Sequence, residues 1–131
     1  MELAALPAEE SLVGRYTQTC TLGCPLLDGL LQGGVPVGSI TELVGESTVG
    51  KTQLCLQLLL TAQLPPERGG LGGRSLYIHT EGPAPLVRLA DLAISVPGLG
   101  PDPCDWVLVA NATAGPKHLL EAVRQARPLL P

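Results

Sequence analysis

The octet GESTVGKT at residues 45–52 constrains this chain more than any other stretch. It fits G-x-x-x-x-G-K-[ST] at Gly45, Gly50, Lys51 and Thr52. In such a pattern the glycines let the backbone curl, so that successive N–H groups point at phosphate oxygens. A helix opening at Lys51 adds the positive end of its dipole. The lysine ammonium can reach the β- and γ-phosphates, and the Thr52 hydroxyl can ligate magnesium. A chance match somewhere in a chain this rich in glycine has odds on the order of one per cent. The pattern therefore predicts a phosphate cradle over Gly45, Glu46, Ser47, Thr48, Val49, Gly50, Lys51 and Thr52. A dinucleotide fold is disfavoured, because no G-x-G-x-x-G occurs.

The flanking pattern agrees with a strand–loop–helix setting. SITELV (39–44) is short, apolar-rich and bounded by glycines, which predicts a strand. KTQLCLQLLLTAQL (51–64) carries a dense apolar face and is stopped by Pro65-Pro66, which predicts a helix. The same alternation follows twice more. RSLYIHT (74–80) and DWVLVAN (105–111) predict strands; PLVRLADLAISV (85–96) and GPKHLLEAVRQAR (115–127) predict helices. Pro116 is tolerated in the first turn of the last helix. Upstream, leucines at helical offsets in LGCPLLDGLLQGGVPVG (22–38) predict a short helix ended by Gly33-Gly34. Short apolar strands alternating with helices imply an α/β fold with parallel strands, about three of them here, and flanking helices. Residues 1–16 show no period and read as a flexible lead-in, with the domain proper over 17–131.

Length and composition exclude several classes. At 131 residues the chain is one domain at most. It has no phenylalanine, so the core must be built from leucine, valine, isoleucine and alanine. A net charge of −4 argues against a strong electrostatic grip on DNA by this segment alone. The N-terminus has early acids and no long apolar run, unlike a secretory signal. LCLQLLL is too short to span a membrane. Cys20 and Cys24 form a lone C-x-x-x-C, and His79 and His118 supply no second pair at zinc-finger spacing, so the thiols read as free and inert.

Glu81, in YIHTEG, follows the second predicted strand. Ligands in parallel sheets sit beyond the carboxyl ends of strands, where a carboxylate can orient or deprotonate an attacking water. Spacing alone leaves open whether Glu81 does this or is a solvated loop glutamate. His118 reads as a helix-surface residue, Trp106 as core or rim packing, and Asp28 and Glu42 as local structural partners.

The ordered run LDGLLQGG, GSITEL, the phosphate loop, GKTQLCLQL, QLP and YIHTEG resembles the ATPase core of the RecA/RadA recombinase family, specifically its eukaryotic recombination paralogues. The resemblance covers most of residues 17–90 and continues more loosely to the end. It implies a RecA-like P-loop core that binds ATP and Mg2+, with Thr52 as the metal ligand. It places the water-activating glutamate at Glu81 and an adenine-packing arginine at Arg88, in PLVRL. It further implies homologous-recombination DNA repair in the nucleus, with the cytoplasm as a second address. Two departures stand out. His79 occupies a position that is usually aspartate in active recombinases, and GPAP replaces the usual GTF after the glutamate. A polymerising F-x-x-A motif needs phenylalanine, which is absent.

These departures predict a partner in a heteromeric complex with another paralogue, not an autonomous filament. The family's next element is an apolar strand ending in a magnesium-site aspartate. Asp28, Asp91, Asp102 and Asp105 do not follow such a strand, and the sequence ends at RQARPLLP. The expectation is the N-terminal half of an ATPase core. DNA would be contacted through regions outside it, and hydrolysis would occur only in a longer chain or complex. The alternatives are a nucleotide-binding assembly scaffold without catalysis, or a P-loop small-molecule kinase. No substrate-binding arginine cluster supports the kinase.

Overall fold

The computed structural model describes residues 18–130; the lead-in expected over 1–16 lies outside them. The chain enters through β1 (Thr19–Cys20), turns through the short helix α1 (Pro25–Leu30), and returns as β2 (Val35–Pro36). These strands pair antiparallel, with Thr19 opposite Pro36 and Cys20 opposite Val35. Asp28 fixes this corner: its carboxylate accepts from the Thr21 hydroxyl and, at 2.8 Å, from the Leu22 N–H. The α1 helix stops where expected, with the Gly33 N–H closing on the Asp28 carbonyl at 2.7 Å.

A βαβ unit follows the phosphate loop. Helix α2 (Lys51–Thr61) leads into β3 (Ser75–His79), then α3 (Leu86–Ser95), β4 (Val107–Asn111) and α4 (Pro116–Ala126). Pro97 drives Val96 into the extended region at φ −90° and ψ 111°, which ends α3. Strands β3 and β4 are parallel, in register from Ser75–Val107 to His79–Asn111. Asp105 and Trp106, expected in the strand over 105–111, belong instead to a 3-10 turn (Pro103–Trp106) that runs straight into β4.

Alternation along the sheet sorts its two faces. Tyr77 and Val107 pack into a core with Leu56, Leu59 and Leu60 of α2 and Leu89 of α3. Leu76, Leu108 and Ala110 instead line an open cleft under α4. Leu60 is fully buried, as is Thr61 beside it. The Thr61 hydroxyl donates to the Thr21 carbonyl at 2.7 Å, tying α2 to the β1–α1 corner.

Two sequence expectations are corrected. The stretch 39–44 is not a strand: Ile40 is 100% exposed and Val44 85%. A strand exists only as part of a ladder, and among the described residues no backbone hydrogen bond engages 39–44. The parallel sheet therefore holds two strands instead of about three. The second pair, β1–β2, was not anticipated, because two-residue strands carry too little alternation to show in a pattern.

Candidate functional site

The loop over 45–50 lies between an unpaired approach and a well-formed helix, so only half of the expected strand–loop–helix setting is present. Ser47 and Thr48 make a turn, with Thr48 at φ 68°. Gly50 caps α2 at φ 108°, a backbone state that side chains rarely adopt. Gly45 is needed for space instead: a Cβ there would meet Val49 Cγ2 at 2.9 Å. The Lys51 side chain folds back beneath this curl. Its ammonium donates to the carbonyls of Gly45 and Glu46, both at 2.6 Å. Two of the three ammonium donors are thus spent on holding the loop, and the third remains.

The first backbone bond of α2 runs from Leu54 N–H to the Gly50 carbonyl at 3.0 Å. Gly50 offers no side-chain cap. The N–H groups of Lys51, Thr52 and Gln53 therefore open the helix without intrahelical acceptors. An anion placed there meets the helix dipole, these donors and the ammonium together. Residues 45–49 and Thr52 are exposed, and Lys51 is half-buried. The Thr52 hydroxyl has no hydrogen-bond partner among the described residues. It is accessible to a metal, as the sequence reading requires.

A cleft of about 630 Å³ opens beside the loop, lined by Lys51, Thr52, Cys55, Leu43 and Tyr77 among others. It separates the stretch 39–43 from α2 and β3, which is the physical counterpart of the strand that does not form. Glu42 lines this cleft.

Glu81 lies beyond the carboxyl end of β3, as expected, and is exposed. No hydrogen bond joins it to the phosphate loop. Its turn is held from behind: His79 Nδ1 lies 2.8 Å from the Gly82 carbonyl, which accepts the ring N–H. This contact ties the end of β3 to the turn that carries Glu81. Arg88, on the first turn of α3, donates from Nε to Gln53 Oε1 at 2.8 Å. The structure thus brings Arg88 to the helix that carries Lys51 and Thr52. Gln53 was missed in the sequence; its only signal was its place two residues after the lysine.

The remaining candidates sort as structural. His118 is exposed on α4. Trp106 is 44% exposed, with the Arg74 guanidinium 6.0 Å from its ring centroid, a rim position at the opposite ends of the strands. All four cysteines are free. Burial pushes the Cys20 thiol up; a side-chain hydrogen bond with Thr61 opposes this, and the nearby Asp28 adds to it. Among the described residues no group of three or more histidines, cysteines or carboxylates could hold a metal. No helix there is long and apolar enough to cross a membrane.

Comparison with known proteins places this geometry. A family model described as Rad51 matches residues 15–128. The chain is 50% identical over 99 residues to the DNA repair protein XRCC3 homolog of Arabidopsis thaliana, covering 70% of this chain and 33% of that protein. It is 56% identical over 75 residues to DNA repair protein XRCC3 of Bos taurus, covering 57% of this chain and 22% of the relative. It is 47% identical over 108 residues to DNA repair protein rhp51 of Schizosaccharomyces pombe, covering 82% and 29%. The chain spans about a third or less of the length of these relatives.

Proposed function

The chain belongs to the Rad51 family, and from that premise we propose that it is the nucleotide-binding part of a recombination paralogue acting in homologous-recombination DNA repair. The observation that carries this reading is the closed loop. Lys51 bridges the carbonyls of Gly45 and Glu46 at the uncapped start of an 11-residue helix. Residues 17–131 are read as the N-terminal half of a RecA-like ATPase domain.

The residues present fit ATP. The carbonyls of Gly45 and Glu46 hold the Lys51 ammonium, and the helix start offers unpaired N–H donors for phosphate oxygens. Thr52 contributes one accessible hydroxyl toward Mg2+, which when bound supplies neutralisation of phosphate charge. Arg88 is exposed, with its Nε bonded to Gln53, and its guanidinium is the group that would pack on adenine. Glu81, exposed just beyond β3, has a carboxylate that can accept a proton from water.

The partner in this reading is another recombinase paralogue, supported by the chain's 50% and 56% identity to XRCC3 proteins over 99 and 75 residues. DNA contact is assigned to regions outside this chain, and the working compartment is the nucleus. The second reading is a nucleotide-binding scaffold without turnover. ATP turnover by the full-length protein in its complex separates the two.

The test of the common core is Lys51→Ala. It removes both the loop's internal clamp and the phosphate-facing charge, so ATP affinity should fall at least about tenfold. Equal ATP affinity for mutant and wild-type full-length protein in calorimetry would remove the cradle.

A further inference from the structure

The phosphate-holding helix and the arginine-bearing helix are joined by one side-chain contact, Arg88 Nε to Gln53 Oε1 at 2.8 Å. Gln53 is the third residue of α2, directly after Lys51 and Thr52, and Arg88 is the third residue of α3. Both side chains are exposed, so packing does not fix the guanidinium. A free arginine side chain samples many rotamers and gives up that freedom on stacking against a flat ring. The bond to Gln53 removes this cost before a ligand arrives.

We propose that Gln53 is a positioning residue for purine recognition: its amide oxygen sets the plane of the Arg88 guanidinium against the same helical turn that presents Lys51. The inference rests on the nucleotide-binding reading above and adds a residue to it. Nε is the guanidinium nitrogen nearest the chain. Engaging it leaves the two terminal nitrogens without a hydrogen-bond partner among the described residues. The phosphate-binding lysine and the base-binding arginine are then referred to one rigid turn, so their separation is set before binding. The contact also anchors the loop that carries Glu81. That loop is held near its start by His79 and Gly82, and the Arg88–Gln53 bond holds the helix at its end.

The inference separates base recognition from phosphate recognition, and that separation is measurable. Calorimetry on the full-length protein would compare ATP with inorganic tripolyphosphate, which has the phosphates and no base. Gln53→Ala should lower ATP affinity by about three- to tenfold while lowering tripolyphosphate affinity less than about twofold. Gln53→Glu keeps the acceptor. Its added charge repels both ligands, but the ratio of ATP to tripolyphosphate affinity should stay near the wild-type ratio. Arg88→Ala should lose at least as much as Gln53→Ala, and the double variant should lose no more than Arg88→Ala alone. An equal fall for the two ligands in Gln53→Ala, wild-type ATP affinity in that variant, or fully additive losses would overturn the positioning role. Wild-type protein that binds neither ligand would overturn the nucleotide reading itself, and this inference with it.

Discussion

Gly45 and Gly50 occupy the two glycine positions of one motif, yet alanine at each should reduce ATP affinity for different reasons. At Gly50 the obstacle is the backbone. Its φ is 108° and an added Cβ would meet nothing within 4 Å, so the cost is strain alone. Holding a side-chain-bearing residue in such a region costs about 1–3 kcal/mol, or about fivefold to a hundredfold in population of the binding-competent loop. At Gly45 the obstacle is Val49, whose Cγ2 would stand 2.9 Å from the new Cβ. Val49 is 63% exposed and can turn away. Displacing its rotamer costs about 0.5–1.5 kcal/mol, or about two- to tenfold. The two mechanisms separate in double variants. Adding Val49→Ala to Gly45→Ala should restore affinity to that of Val49→Ala alone, because the clashing methyl is gone. Adding Val49→Ala to Gly50→Ala should restore nothing. ATP titration calorimetry on the full-length protein reads the affinities, and urea unfolding of each variant keeps stability changes apart from loop changes. Wild-type affinity in Gly50→Ala, or its rescue by Val49→Ala, would refute the strain argument; failure of Val49→Ala to rescue Gly45→Ala would refute the steric one.

Three further outcomes are expected. Thr61→Val preserves shape but leaves the Thr21 carbonyl without its 2.7 Å donor, and should destabilise by about 1–3 kcal/mol in urea unfolding; an unchanged midpoint would mean that solvent replaces the bond. Glu81→Gln should keep ATP binding and reduce phosphate release in the full-length complex, because an amide cannot take the water's proton; unchanged turnover would return Glu81 to a solvated loop residue. Burial raises the Cys20 thiol above its ordinary value of 9.0, so the unfolded chain ionises first; stability should decline as pH rises above about 9, and Cys20→Ala should flatten that decline in pH-dependent unfolding.

Local chemistry was legible in the residues themselves. Gly50 before Lys51, Pro116 inside the last helix, Pro97 after α3 and the Gly33-Gly34 stop act through φ and missing or freed N–H groups, over one or two residues. A sequence therefore displays them directly, and helices α3 and α4 fall where those signals put them, while α2 ends at Thr61, short of the stop expected at Pro65-Pro66. The same holds for the loop's composition, since a phosphate cradle needs its residue types at fixed offsets. Strand formation at 39–44 was not decidable in this way. SITELV has the apolar content of a strand, but a strand is a relation between two backbones, and no described backbone lies alongside to make the ladder. The pairing of Gln53 with Arg88 is likewise a relation, between residues 35 apart in sequence, created when α2 and α3 pack on one face of the sheet around Leu56, Leu60 and Leu89. Propensity is stored in single residues and their neighbours, whereas ladders and cross-helix contacts exist only once burial of the apolar faces has chosen which segments meet.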